Sequence, residues 1–188
     1  MKERPILFSA PMVRSLLDGC KTQTRRIVKR HVLVTECPYG WVGDRLWVRE
    51  TFAPNAGDEM AFMRWEFDSC GPKPEIHFAA DGGDPHISRW RPSIHMPRWA
   101  SRILLEIVSV RVEQLQDISD EDCLAEGIHA IRHEGDGMYY HHERTYADPD
   151  NWCHPDDAYR ALWNQINGAG SWDANPWVWA VEFKRVMP

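Results

Sequence analysis

The sequence has no apolar run near the roughly 18 residues a membrane span needs, and its first ten residues, MKERPILFSA, lack the long apolar stretch of a signal peptide. A cytoplasmic protein with no membrane partner is expected. There is no internal repeat and no C-x-x-C pair. The five cysteines, Cys20, Cys37, Cys70, Cys123 and Cys153, are odd in number and widely spaced, which disfavours a disulfide framework or a zinc ribbon. A basic balance is also missing. Lys plus Arg is 22 against 28 Asp plus Glu, a formal charge of -6, so the whole surface is not built to coat a phosphate backbone.

What is present describes a globular chain. Its 188 residues, 43% hydrophobic and 27% charged, predict a single domain over 1–188 with one decorating insertion. Charge is unevenly spread. Residues 1–30 hold eight basic and two acidic side chains, a local +6; residues 89–111 hold five Arg against Glu106, a local +4; residues 116–160 hold twelve acidic and three basic, a local -9. Such asymmetry can mark a face for an anionic ligand, although most local excesses are solvated surface.

Local patterns predict the elements. Arg4–Phe8 reads as a short buried strand, followed by a helix from about Pro11, capped by Ser9 and stopped by Gly19. Val32–Val34 is a further apolar stretch before a Pro38/Gly40 turn. Leu46–Phe52 alternates as a strand, with Leu46, Val48 and Glu50 on one face and Trp47, Arg49 and Thr51 on the other. Ala61–Phe67 and Glu75–Ala80 read as a strand pair, broken off by Asp81-Gly82-Gly83-Asp84-Pro85, and Arg102–Leu115 as a central strand. Ser119 and Asp122 form an S-x-x-D box opening a short helix that Gly127 closes. Residues 128–154 lose any hydrophobic period and predict an irregular insertion. Asp156 then starts a helix carrying Tyr159, Leu162, Trp163 and Ile166, and Trp177–Phe183 alternates with its odd positions toward a core. The fold class is mainly β with peripheral helices (α+β), a small and mostly antiparallel barrel with helices on its rim.

Four constellations could carry chemistry. In Gly19–Arg26 (GCKTQTRR), strand alternation puts Lys21 and Arg25 opposite Thr22, Thr24 and Arg26, while a turn at Gly19 could bring Lys21 and Thr24 together. A hydroxyl nucleophile needs a base, and a desolvated Lys among cations can serve as one; the bland reading is a solvated basic strand. Glu126 occupies the last turn of its short helix, where the dipole disfavours an anion by a few tenths to about 1 kcal/mol, so a nearby Lys or Arg is expected to offset it. In Trp90–Arg102, two Trp planes interleave with three Arg side chains, chemistry that stacks bases and holds phosphate. Trp163, Trp177 and Trp179 read as structural, and Trp47, Trp90 and Trp99 as binding candidates. His133, His141, His142, Cys153 and His154 are competent zinc ligands, but their spacing matches no ligand pattern, so neither a metal nor a cofactor is expected.

The pattern Gly19-x-Lys21-x-x-x-x-Arg26, then Gly43-Asp44-x-Leu46-x-Val48, closing on Trp177–Phe183 (WVWAVEF), resembles the ASCH domain of the PUA-like superfamily. The phrases GCKTQTRR, GDRLWVRETF, RWRPSIHMPRWASRI, LQDISDEDCLAEGI and NPWVWAVEF, in that order, look like the larger ASCH proteins of bacteriophages and prophages. The resemblance implies a small β-barrel whose cleft is lined by the G-x-K-x-x-x-x-R segment, in a superfamily associated with RNA and modified-base recognition. One small branch removes the acetyl group of N4-acetylcytidine with a Lys, a Thr three residues later and a Glu after a short acidic helix. Lys21, Thr24 and Glu126 stand in matching places, in a chain nearly twice that branch's length.

The expected function is thus recognition of a nucleobase or nucleoside, with hydrolysis of an amide on it. Thr24 would attack, Lys21 would take its proton, and Glu126 would protonate the departing nitrogen. Arg26 would orient Glu126 or hold the ligand, Trp47, Arg49 or Trp90 would pack on the ring, and Glu50, Arg91, Trp99 and Arg102 are further candidate contacts. The rivals are a non-catalytic module reading RNA, or single-stranded or modified DNA, through the basic segments, and a ribonuclease using the same cleft.

Overall fold

A computed structural model describes residues 1–29, 37–68, 71, 73–83, 89–133, 137–142 and 152–186. The expected apolar stretch at Val32–Val34, the Asp84-Pro85 end of the breaker and residues 143–151 of the insertion lie outside them.

The centre is a five-stranded mixed sheet in the order β1-β3-β6-β9-β2, formed by β1 (Glu3–Leu7), β2 (Gln23–Ile27), β3 (Arg45–Arg49), β6 (Leu104–Gln114) and β9 (Trp177–Val186). Three of its four ladders are antiparallel; β1 and β3 run parallel, with Ile6 opposite Val48. Together with four helices this is an α+β architecture. Among the described residues no ladder joins the edge strands β1 and β2, and no closed barrel is found. A side chain spans the two edges instead: Arg26 Nη2 donates to the Leu7 carbonyl at 2.7 Å, and its guanidinium lies over the Phe8 ring at 5.3 Å. No described helix is long and apolar enough to cross a membrane.

The main core lies between one sheet face and α1 (Ala10–Leu17). Leu46, Val48, Leu105, Ile107, Trp179, Val181 and Phe183 meet Val13 and Leu16 there, as the alternation of β3 and β9 predicts. β6 changes phase partway. A bulge between Ile107 and Ser109 leaves Val108 unpaired, so Leu105 and Ile107 before it and Val110 and Val112 after it all pack on this core.

A second core covers the other face. Leu115, Cys123, Ile128, Ala158, Tyr159, Trp163 and Val178 join α3 (Asp120–Ala125) and α4 (Pro155–Asn167) to the sheet. Ser119 caps α3 as expected, its hydroxyl accepting from the Asp122 N–H at 3.2 Å. With both faces covered, Val178 and Ala180 of β9 are as buried as Trp179 and Val181, while Trp177, expected inside, is 57% exposed at the strand's start.

Two further expectations fail. Ala61–Phe67 belongs to α2 (Glu59–Asp68), not a strand: the good helix formers Glu, Met, Ala and Arg outweigh the aromatic content that suggested β structure. Its intended partner pairs elsewhere, β5 (Ile76–Phe78) lying antiparallel to β4 (Phe52–Pro54). The insertion is also not irregular throughout. β7 (His129–His133) and β8 (Gly137–His141) form an antiparallel hairpin, with Ala130 opposite Tyr140 and Ile131 opposite Tyr139. Short hairpins with mixed His, Arg and Tyr faces carry little hydrophobic alternation, which hides them from periodicity.

Candidate active site

The strand lead-in before β2 and the end of α3 are locked together by backbone. Lys21 N–H donates to the Ser15 carbonyl at 2.9 Å, Thr22 N–H to the Ala125 carbonyl at 2.8 Å, and Phe183 N–H to the Thr22 carbonyl at 2.8 Å. Gly127 makes this approach feasible. Its φ is +99°, and a Cβ there would lie 3.2 Å from Ser15 Cβ and 3.4 Å from Lys21 Cβ. Glu126, the C-cap of α3, is thereby carried against Lys21.

Both side chains are buried. Lys21 Nζ donates to Glu126 Oε2 at 2.8 Å and to the Glu126 carbonyl at 2.7 Å, so the ammonium satisfies the helix end and the carboxylate at once. Arg25 Nη1 lies 3.4 Å from Glu126 Oε1. These are the cations that the unfavourable dipole at Glu126 calls for. Arg25 goes further: it pairs through Nε and Nη2 with Glu113 and through Nη2 with Asp122 at 2.6 Å, and Arg111 binds the same two carboxylates. Three cations (Lys21, Arg25, Arg111) thus balance three carboxylates (Glu113, Asp122, Glu126) within one cluster.

Thr24 lies on β2 opposite Val181 and is buried. With Arg25, Arg26, Glu126, Tyr159, Leu162 and Trp163 it lines a cavity of about 30 Å³, room for about one water. A larger cleft of about 350 Å³, lined by Ser9, Pro11, Met12, Glu126, Gly127, His142, Leu162, Gln165 and Ile166, shares Met12, Glu126, Leu162 and Ile166 with it. Glu126 therefore faces both spaces, while Lys21 stands behind it without lining either.

Burial pushes the Lys21 ammonium below its ordinary value; the Glu126 charge and hydrogen bond oppose this, and Arg26 and Arg25 add to the lowering. For Arg25, burial alone would lower the value, but Glu126 and the other anionic neighbours outweigh it and hold the guanidinium charged. Asp122 is raised by burial, yet its bond to Arg25 and the charges of Arg25 and Arg111 hold it below the usual carboxylate range. A carboxyl depressed in the fold contributes stability that is complete above its unfolded value, near pH 4, and is lost as pH falls through the folded value. Wild type is therefore expected to lose stability more steeply than Asp122→Asn below about pH 4, measured as denaturation midpoints against pH; parallel profiles would refute this.

The other sequence candidates have other partners. Arg26 lines the small cavity, but its guanidinium engages Leu7 and Phe8; orienting Glu126 falls to Arg25, which went unselected. The Arg49 and Arg98 guanidiniums both lie over the Trp47 ring, at 5.3 and 5.9 Å, and Arg49 Nη2 donates to the Ile94 carbonyl. Buried Glu50 accepts both arms of Arg102 at 3.0 Å, and Arg102 also binds Asp81 and covers the Phe78 ring at 3.9 Å. Burial raises the Glu50 carboxyl, with Arg102 opposing. Arg91 pairs with Glu59 and lies over Phe62 at 4.3 Å. Trp99, expected to stack on a ligand, packs on Phe62 and Trp65 at 5.4 and 5.8 Å in a third core around Phe52 and Met96, and Trp90 is half-buried. Among the described residues, none of Trp47, Arg49, Glu50, Trp90, Arg91, Trp99 and Arg102 lines either space. Nor does any group of three or more described His, Cys, Asp or Glu side chains form a metal-binding cluster.

The sequence reading missed Arg25, Tyr159, Gln165 and the cleft position of His142. Arg25 alone left a signal, its placement on the same strand face as Lys21. Compared with known protein families, with curated proteins and with solved structures, the chain matches none.

Proposed function

We propose that this chain is a cytoplasmic, nucleoside-recognising hydrolase of the ASCH, PUA-like type that cleaves an amide on an N-acylated nucleoside such as N4-acetylcytidine. The observation that carries the reading is Glu126, which pairs with Lys21 at 2.8 Å, 105 positions away in the chain, and lines one small cavity with Thr24 beside a larger cleft. The mostly antiparallel sheet, with Arg26 spanning its edges, suits a PUA-like fold.

In this reading the base lies in the larger cleft between Pro11 and Met12 on one wall and Leu162 and Ile166 on the other, and its acyl carbonyl is directed at Thr24 from the side where the two spaces share Met12, Glu126, Leu162 and Ile166. Lys21 Nζ donates to Glu126 Oε2 across 2.8 Å, and in this reading that proton passes to Glu126 before attack. With that proton on Glu126, the neutral amine accepts the Thr24 hydroxyl proton as Oγ1 bonds to the acyl carbon. Glu126 then protonates the base nitrogen, the C–N bond breaks, and the acyl group remains on Thr24. Water attacks the ester, its proton passes to Glu126, and Lys21 returns a proton to the departing Thr24 oxygen, restoring the pair with its proton on Glu126.

Binding of RNA or single-stranded DNA through the basic segments has less support, because Lys21 and Arg25 are buried in ion pairs and Arg26 is engaged by Leu7 and Phe8. The test is incubation with acylated nucleosides and short RNA and DNA, with products read by mass spectrometry. Cytidine and acetate from N4-acetylcytidine, lost in Thr24→Ala, are expected. Intact nucleosides alongside shortened oligonucleotides would replace this reading with a nuclease.

A further inference from the structure

Tyr159 has a divided environment. Its ring belongs to the second core, packed on Trp163 at 6.2 Å and Trp172 at 6.1 Å, and the residue is 3% exposed. It also lines the small cavity with Thr24 and Glu126, and its phenol interacts electrostatically with Glu126 and Arg25. Among the described residues no hydrogen-bond partner of the phenolic oxygen is found. A phenol ordinarily finds one, and a Phe would pack the same ring without offering a hydroxyl to the cavity.

The charged donors around the cavity are engaged, and the indole Nε1 of Trp163, another lining residue, is buried without a hydrogen-bond partner among the described residues. Lys21 Nζ bonds twice to Glu126, Arg25 bridges three carboxylates, and Arg26 bonds to the Leu7 carbonyl. Burial, and then the Glu126 charge, push the Tyr159 phenol well above its ordinary value, so it keeps its proton at neutral pH and acts as a donor. Acyl transfer to Thr24 lacks one component in the groups described so far: a donor for the oxygen that becomes negative.

We propose that Tyr159 is the oxyanion donor of this site, its O–H hydrogen-bonding to the scissile carbonyl oxygen as Thr24 adds to the carbonyl carbon. The inference rests on the amidohydrolase reading of the cleft. When Thr24 Oγ1 bonds to carbon, the carbonyl π pair moves to oxygen and Tyr159 holds that oxygen without transferring its proton. The pair returns when the C–N bond breaks, and the same donor serves the second tetrahedral intermediate formed by water. Such a donor acts on developing charge, so it raises turnover more than ground-state binding.

The experiment compares wild type, Thr24→Ala and Tyr159→Phe on N4-acetylcytidine, with melting temperature and cytidine affinity measured for each. Tyr159→Phe is expected to lose about 10²–10³-fold in kcat, with KM, melting temperature and cytidine affinity little changed. Its affinity for a tetrahedral phosphonamidate analogue of the substrate should fall in parallel with kcat. Wild-type turnover in Tyr159→Phe, on a substrate that Thr24→Ala no longer cleaves, overturns the assignment of Tyr159 and leaves the amidohydrolase reading standing. No turnover of any acylated nucleoside by wild type overturns both.

Discussion

Replacing Lys21 by Met or Glu126 by Leu is expected to lower deacylation by about 10²–10⁴-fold, the usual range for a lost proton-transfer group. Each single change should also destabilise the fold, Glu126→Leu by about 3–5 kcal/mol because Lys21 loses its carboxylate, and Lys21→Met nearer the lower end of about 3–5 kcal/mol because Arg25 still faces Glu126. The double variant Lys21→Met with Glu126→Leu should be more stable than the sum of the single losses allows, since both charges leave together, while staying as inactive as either one. Urea midpoints and turnover of the four proteins check this. Additive stability losses would show that the 2.8 Å pair contributes no coupling, and an active double variant would remove both residues from the chemistry.

Arg25→Met is the second large effect. One guanidinium, fully enclosed, is shared by Glu113 of β6, Asp122 of α3 and Glu126 of its C-cap. Removing it strips a cation from three acids, with a cost at the lower end of about 3–5 kcal/mol because Arg111 still serves two of them and Lys21 the third. Arg25→Lys should recover only part of this, since a single ammonium cannot reproduce the planar fork. Melting temperatures falling in the order wild type, Lys, Met are expected; a Met variant as stable as wild type would mean the carboxylates do not depend on this cation. Activity should also fall, through the position of Glu126.

How much of this was legible depends on whether the determining contacts are local. Ser119 capping α3, the alternating faces of β3 and the 3.6-residue stripe of α4 are written within a few positions of each other, and sequence reading finds them. Glu126 was legible for a different reason: a carboxylate at the negative end of a helix demands a cation from somewhere, and Lys21 and Arg25 supply it. The range of Arg25 was not legible, because its partners lie 88, 97 and 101 positions away. α2 was misread because its aromatic residues suggest strand while only Phe62 is fully enclosed, leaving intrinsic helix propensity to decide. The Trp and Arg run at 90–102 looked like a ligand surface, but its own fold neighbours occupy much of it: Glu59 on Arg91, Glu50 and Asp81 on Arg102, Phe62 and Trp65 on Trp99. Composition cannot distinguish an aromatic awaiting a base from one already covered.

The unpaired Val108 in β6 has a consequence for ancestry and engineering alike. Side chains alternate along a strand like odd and even numbers, and one surplus position exchanges the two classes from there onward. Without it, Val110 and Val112 would turn toward α3, while Arg111 and Glu113 would point into the oily layer under α1. The charge-balanced assembly holding Glu126 thus exists by virtue of parity, and a one-residue deletion at Val108 would dismantle it while removing none of its members.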